Sequence, residues 1–180
     1  MKIICLIAFL IFAFPFMAAA QRTGDSVCDG LDKAGATSAG VILTVCNYAG
    51  GMAPIPRLRL HFRLYKDGRA EFETNPPYGE RNMEKNFTLV TKKIKVDAKT
   101  VAEIVSLIEQ KDFQNAKNEY PRFRIWTDSS LKTSIYFRAK DAEKKIVLNN
   151  LSLEDEKSQK EYPPSLFALL QKIEELKAKN

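Results

Sequence analysis

Between Arg57 and Tyr65 apolar and polar residues alternate, with Leu58, Leu60, Phe62 and Leu64 on one side and Arg57, Arg59, His61, Arg63 and Tyr65 on the other. A period of two marks a strand with one buried and one wet face. The stretch therefore predicts a strand whose outer face is basic. Asp67-Gly68 turns the chain into a second strand, Arg69 to Thr74. A two-residue turn there sets Leu64 opposite Glu71, core against solvent, which the alternation forbids. A three-residue loop, Lys66-Asp67-Gly68 with a left-handed glycine, instead pairs Phe62 with Phe72, Arg63 with Glu71 and His61 with Glu73, and satisfies both faces.

Upstream, the β-branched run from Val41 to Tyr48 lies between Gly40 and Gly50-Gly51. It predicts a strand buried on both faces or nearly so. Downstream, Asn75 to Gly79 opens a polar loop, and strand character returns from Asn86 to Val96. There Phe87 and Leu89 are out of phase with Ile94 and Val96, which a bulge or break near Thr91 to Lys93 corrects. Asp97 is a candidate N-cap for a helix from Ala98 to Gln110, whose Val101, Ile104, Val105 and Ile108 recur at three and four. Three more strands, Arg122 to Thr127, Leu131 to Ala139 and Lys145 to Asn149, are separated by turn residues Asp128-Ser129-Ser130 and Lys140 to Glu143. An antiparallel meander is their simplest connection. Leu153 to Glu161 reads as a charged loop, and a last helix starts near Pro163 or Pro164 with an apolar stripe from Leu166 to Leu176. Together these elements predict an α+β fold: an antiparallel sheet of about five to seven strands with two helices packed on one face.

Ahead of them, Lys2, the apolar run from Ile3 to Met17 and the small residues Ala18-Ala19-Ala20 follow the pattern of a secretory leader, with cleavage expected after Ala20. The run is shorter than the roughly 20 residues that a bilayer span needs, so no span is expected after cleavage. The remainder, 21–180, reads as one domain, with a glycine-rich front segment (21–56) and a sheet-plus-helices body (57–180). Such a domain is expected outside the cytosol, secreted or periplasmic, as a monomer. Losing Lys2 lowers the net charge from +6 to +5, and the excess is uneven: residues 57–99 hold eleven basic against six acidic residues. Cys28 and Cys46 remain, and an even pair in an exported chain predicts a disulfide.

Candidate chemistry is sparse. His61 is the single histidine and stands at an outward position, with no serine or cysteine marked as its nucleophile. With Cys28 and Cys46 it is one ligand short of a zinc set, so no metal is expected. No Gly-x-Ser-x-Gly or His-Glu-x-x-His motif occurs, and the front glycines lack the Gly-Lys-Ser/Thr of a phosphate loop, so neither catalytic residues nor a cofactor are assigned. Glu71 with Glu73, and Glu154 with Glu156, are carboxylate pairs more typical of solvated strand and loop surfaces. Tyr120, Phe123, Trp126 and Tyr136 are candidates to line a pocket, and Asn86 and Asn150 head glycosylation acceptor triplets that matter only in a eukaryotic secretory route. The best binding candidate is the face of Arg57, Arg59 and Arg63, joined by Lys92, Lys93 and Lys95, which suits sulfated glycans, lipid phosphates or an acidic protein.

The stretch from Leu58 to Phe72, the helix over Val101 to Ile108 with Asp112-Phe113, and Pro163 to Leu170 resemble, in their order, a family of small exported bacterial α+β domains with no assigned function. The resemblance implies an exported domain and carries no catalytic residues with it. The expected function is a non-enzymatic binding or interaction module for an unknown protein or anionic polymer or surface outside the cytosol, with no nucleic acid. The rival readings are an extracytoplasmic hydrolase using His61 and nearby carboxylates, and an inhibitor of a secreted enzyme that makes contact through the loops at Gly50 to Pro56 and Asn75 to Gly79.

Overall fold

The computed structural model describes Cys28, residues 40–51, 57–74, 90–120, 129–139 and 142–149, Leu153, and residues 160–180. The leader expected over 1–20, the strand expected over 122–127 with Phe123 and Trp126, residues 86–89 of the expected 86–96 strand, both loops proposed for inhibitor contact beyond Gly51 and Thr74, the charged residues 154–159, and Asn86 and Asn150 lie outside the described residues. Strands β1 (Val41–Gly51), β2 (Arg57–Tyr65), β3 (Arg69–Thr74), β4 (Val90–Lys95), β5 (Glu119–Tyr120), β6 (Ser129–Ala139) and β7 (Ala142–Asn149) form a seven-stranded sheet in the order β4-β3-β2-β1-β6-β7-β5. Every pairing is antiparallel except β5 with β7. Helices α1 (Ala98–Glu109), α2 (Lys111–Gln114) and α3 (Pro164–Ala178) complete a mixed, strand-dominated α+β fold.

The β2–β3 hairpin follows the expected three-residue loop. Arg63 pairs with Glu71 and Leu64 with Ala70, while Gly68 takes φ +81° and donates its N–H to the Tyr65 carbonyl at 3.0 Å. Only glycine adopts that backbone without cost, and the Gly68 carbonyl in turn accepts from Val96 N–H. Asp97 caps α1 as expected, its side chain accepting from Thr100 N–H. Pro164 opens α3, and Leu166, Phe167, Leu169, Leu170 and Ile173 are buried. One cluster joins them and Ile104, Ile108 and Phe113 to Leu43, Val45, Phe62, Leu64, Ile135 and Phe137 of the sheet. We refer to that side of the sheet as the core side.

Two short elements, one turn and β4 depart from the pattern; β4 carries no bulge at Thr91 to Lys93, since Val90 to Lys95 pair with β3 in unbroken register. α2 is a single turn that buries Phe113 edge-to-face against Phe137, with ring centroids 4.9 Å apart. β5 is a two-residue strand beside Val147 and Leu148. Ser129 and Ser130, read as turn residues, belong to β6, where they pair with Gly51 and Gly50.

The larger correction concerns β2. Along β1–β2, Val45 pairs with Phe62 and Cys46 with Leu60, so His61 is an extra residue on β2, a β-bulge. A bulge reverses which side each residue beyond it faces. Leu60, expected beside Phe62, instead packs with Cys28, Cys46 and Tyr136 in a second cluster. His61 points to the core side, where it meets α3, and does not pair with Glu73. The Glu73 carboxylate accepts from Leu60 N–H at 2.6 Å, supplying a buried acceptor beside the bulge.

Candidate functional site

The bulge divides the basic residues that simple alternation places on one face. Arg59 pairs with Asn47, which bonds His61 at 3.0 Å and Thr133 at 2.9 Å, so Arg59 belongs to the core side. Arg63 lies on the opposite side, its Nε donating to Thr44 Oγ1 at 3.4 Å and its Nη1 to Glu71 at 3.2 Å. Arg57 is placed by its backbone pairing with Ala49. Arg59 and Arg63 therefore do not form one patch. Arg63 is also buried, and Tyr65 Oη donates to the same Glu71 carboxylate at 2.9 Å. Glu71 is bound to Arg63 and Tyr65 while Glu73 serves the bulge, so this pair does not present two free acids.

The side of the sheet that carries Arg63 also carries a basic corner. At the hairpin tip Lys66 and Arg69 are exposed, and Arg69 lies over the Tyr65 ring, 4.8 Å from its centroid. Asp67 pairs with Arg69 Nε at 2.6 Å. The Arg69 N–H and then its side chain hold the Asp67 carboxyl below the ordinary carboxylate range. In β4, Lys93 pairs with Glu71 and Lys95 with Arg69, which places both lysines on this side. Lys95 donates to the Asp67 carbonyl, and Lys93 has no carboxylate within ion-pair distance among the described residues. Lys92 faces the core side, opposite Phe72, and donates to the Asn180 carbonyl at 2.9 Å. A cation there opposes the negative end of α3.

A second constellation gathers around His61. Its Nε2 lies 2.6 Å from Glu174 Oε1, and Lys177 Nζ lies 3.1 and 3.3 Å from the two ring nitrogens and 3.3 Å from Glu174. The hydrogen bond from His61 is the main cause that holds Glu174 at about 2, with Lys177 adding to it. Burial pushes the Lys177 ammonium down and nearby Arg59 adds to that, while Glu174 opposes. Glu174 and Lys177 escaped the sequence reading because nothing local ties α3 to a strand over a hundred residues earlier. Chemically, this cluster fastens the end of α3 to the bulge, and Lys177 occupies the approach to the imidazole.

Cys28 and Cys46 form the expected disulfide, with Cα atoms 6.1 Å apart. Among the described residues no group of three His, Cys, Asp or Glu side chains is arranged for a metal. Tyr120 packs on Tyr162 in the main core, whereas Tyr136 belongs to the disulfide cluster with Lys145 over its ring, so Tyr120 and Tyr136 do not share a pocket. A shallow groove between α1 and α3 is bridged at its rim by the Lys172–Glu103 ion pair at 2.6 Å. No helix among the described residues is long and apolar enough to cross a membrane. No family model matches this chain, and a comparison with curated proteins finds no match either.

Proposed function

We propose that this chain is an exported binding module that recognises an anionic partner through the corner formed by Arg69, Lys93 and Lys95. The observation that carries the reading is the contrast between neighbouring cations. Arg63 is buried and spent on Glu71, while Lys93 and Lys95 are exposed and bound to no carboxylate among the described residues. Exposed cations retain their reach toward an outside anion, whereas a buried pair has already lost it to its partner. The disulfide supports an oxidising location, secreted or periplasmic, and the leader pattern of residues 1–20 agrees with it. On this reading α1 and α3 both cover the core side, which leaves the basic corner on the other side of the sheet.

The test is retention of the mature chain on a sulfated matrix across a salt gradient. Lys93→Glu with Lys95→Glu elutes at much lower salt than the parent, and Arg59→Glu elutes close to it. Equal retention of the double variant and the parent rejects the corner. Mass spectrometry of the native product tests export separately: the reading requires a chain that starts at Gln21. A hydrolytic reading has one observation in its favour, the His61–Glu174 contact. It requires a hydrolase activity that His61→Ala abolishes.

A further inference from the structure

We infer that the anionic partner is an extended acidic peptide that adds to the sheet as a strand beside β4; this rests on the reading above. β4 is the terminal strand of the sheet, with β3 its one neighbour among the described residues. Its hydrogen-bonding phase is fixed by the bond from Val96 N–H to the Gly68 carbonyl and by the pairing of Lys95 with Arg69. In an antiparallel ladder, residues alternate between pairs that exchange both backbone bonds and pairs that exchange none. Lys95, Lys93 and Thr91 are of the second kind toward β3, so their N–H and C=O groups point away from β3, to the side where no strand lies among the described residues. The backbone groups of Ile94 and Lys92 point inward.

A strand docked there would place its fully bonded residues opposite Lys93 and Lys95, with side chains on the basic side of the sheet. Carboxylates at those two positions would meet both lysines, since cross-strand neighbours of opposite charge attract. The intervening residue would face half-buried Ile94 and so would be apolar. The preferred partner therefore reads acidic-apolar-acidic in extended form, a case of β-strand addition. A second copy of this chain is disfavoured as occupant. Antiparallel self-pairing of β4 brings lysine against lysine, the device by which edge strands resist their own kind. The same lysines thus repel a copy and admit an acidic strand.

The experiment titrates the mature, oxidised chain with three probes: an eight-residue peptide alternating glutamate and valine, and two versions N-methylated on alternate residues, one set blocking the amides that would face β4 and the other set blocking those that would not. Binding is followed by fluorescence anisotropy, and hydrogen exchange is measured at Thr91, Lys93 and Lys95. A sulfated oligosaccharide serves as a backbone-free anion. Expected is binding of the unmethylated peptide, a loss of at least about tenfold on blocking the facing amides, little change from the other set, and slowed exchange at all three residues. Lys93→Glu with Lys95→Glu weakens the peptide by a similar factor. Equal affinity of all three peptides, or binding of the oligosaccharide alone, overturns strand addition and leaves the anionic-partner reading standing. Failure of every anion to bind overturns both, and the lysines then act only against self-association.

Discussion

Glu73 offers the sharpest test of how β2 is built. Its carboxylate accepts from Leu60 N–H at 2.6 Å, and both residues are buried. Glu73→Ala removes this acceptor and leaves a buried donor unsatisfied, which costs about 1–3 kcal/mol, and truncating the side chain adds a packing loss. Glu73→Gln keeps an oxygen that can accept the same bond but loses the charge. Since a hydrogen bond to a charged group contributes about 1 kcal/mol more than a neutral one, the glutamine variant should lose about that much. Urea unfolding of the oxidised chain reads both. With a slope near 2 kcal/mol per molar, alanine lowers the midpoint by about 1 M or more and glutamine by about half that. Two results would exclude this role for Glu73. If Glu73→Ala unfolds with the parent, Leu60 N–H has another acceptor. If glutamine is as damaging as alanine, the charge of Glu73 matters and its hydrogen bond to the bulge does not.

The turn, the His61 cluster and the disulfide each have a measurable contribution to stability. Gly68→Ala forces a left-handed alanine whose Cβ meets the Val96 carbonyl oxygen at 2.6 Å; a loss above about 2 kcal/mol in thermal or urea unfolding is expected, and a loss under half of that contradicts the turn geometry. Glu174 in the folded chain sits at about 2, below its ordinary 4.5, so its contribution is complete above about pH 4.5 and fades as pH falls toward 2. Because its side chain is 45% exposed, the effect is discounted to about 1 kcal/mol, and the stability gap between parent and Glu174→Gln should close across that window. A gap that stays constant from pH 5 to 2 contradicts the pairing with His61. Replacing Cys28 and Cys46 together by serine releases a bridge of sequence separation 18 and should cost about 3 kcal/mol of stability, read as a lowered unfolding midpoint against the oxidised parent.

Much of the fold was legible because its signals are local. Asp67-Gly68 and the need to match core and solvent faces across the turn specified the hairpin register, and Asp97 and the Pro163-Pro164 pair marked the starts of both long helices. The bulge was not legible, for a physical reason. Leu60 stays apolar on either side of the sheet because the disulfide and Tyr136 give it an apolar site on the far side as well. The run Leu58, Leu60, Phe62, Leu64 therefore keeps its alternating appearance while the chain changes phase beneath it. That one extra residue separates Arg59 from Arg63 and delivers His61 to α3. β5 and α2 were missed because two and four residues are too few to show a period. Lys93 and Lys95 were visible as candidates, but that neither pairs with a carboxylate among the described residues depended on which acids the other cations had already taken.

Lys93 and Lys95 of β4, and not the arginines of β2, are the cations proposed to meet the partner. Backbone amide shift changes measured by NMR, while a sulfated oligosaccharide and the glutamate-valine peptide are titrated in turn into the mature chain, test this most directly. The largest changes are expected on Thr91, Lys93, Lys95 and Arg69, and raised salt should reverse them. Changes centred on Arg59, His61 and Lys177, with β4 silent, would contradict it.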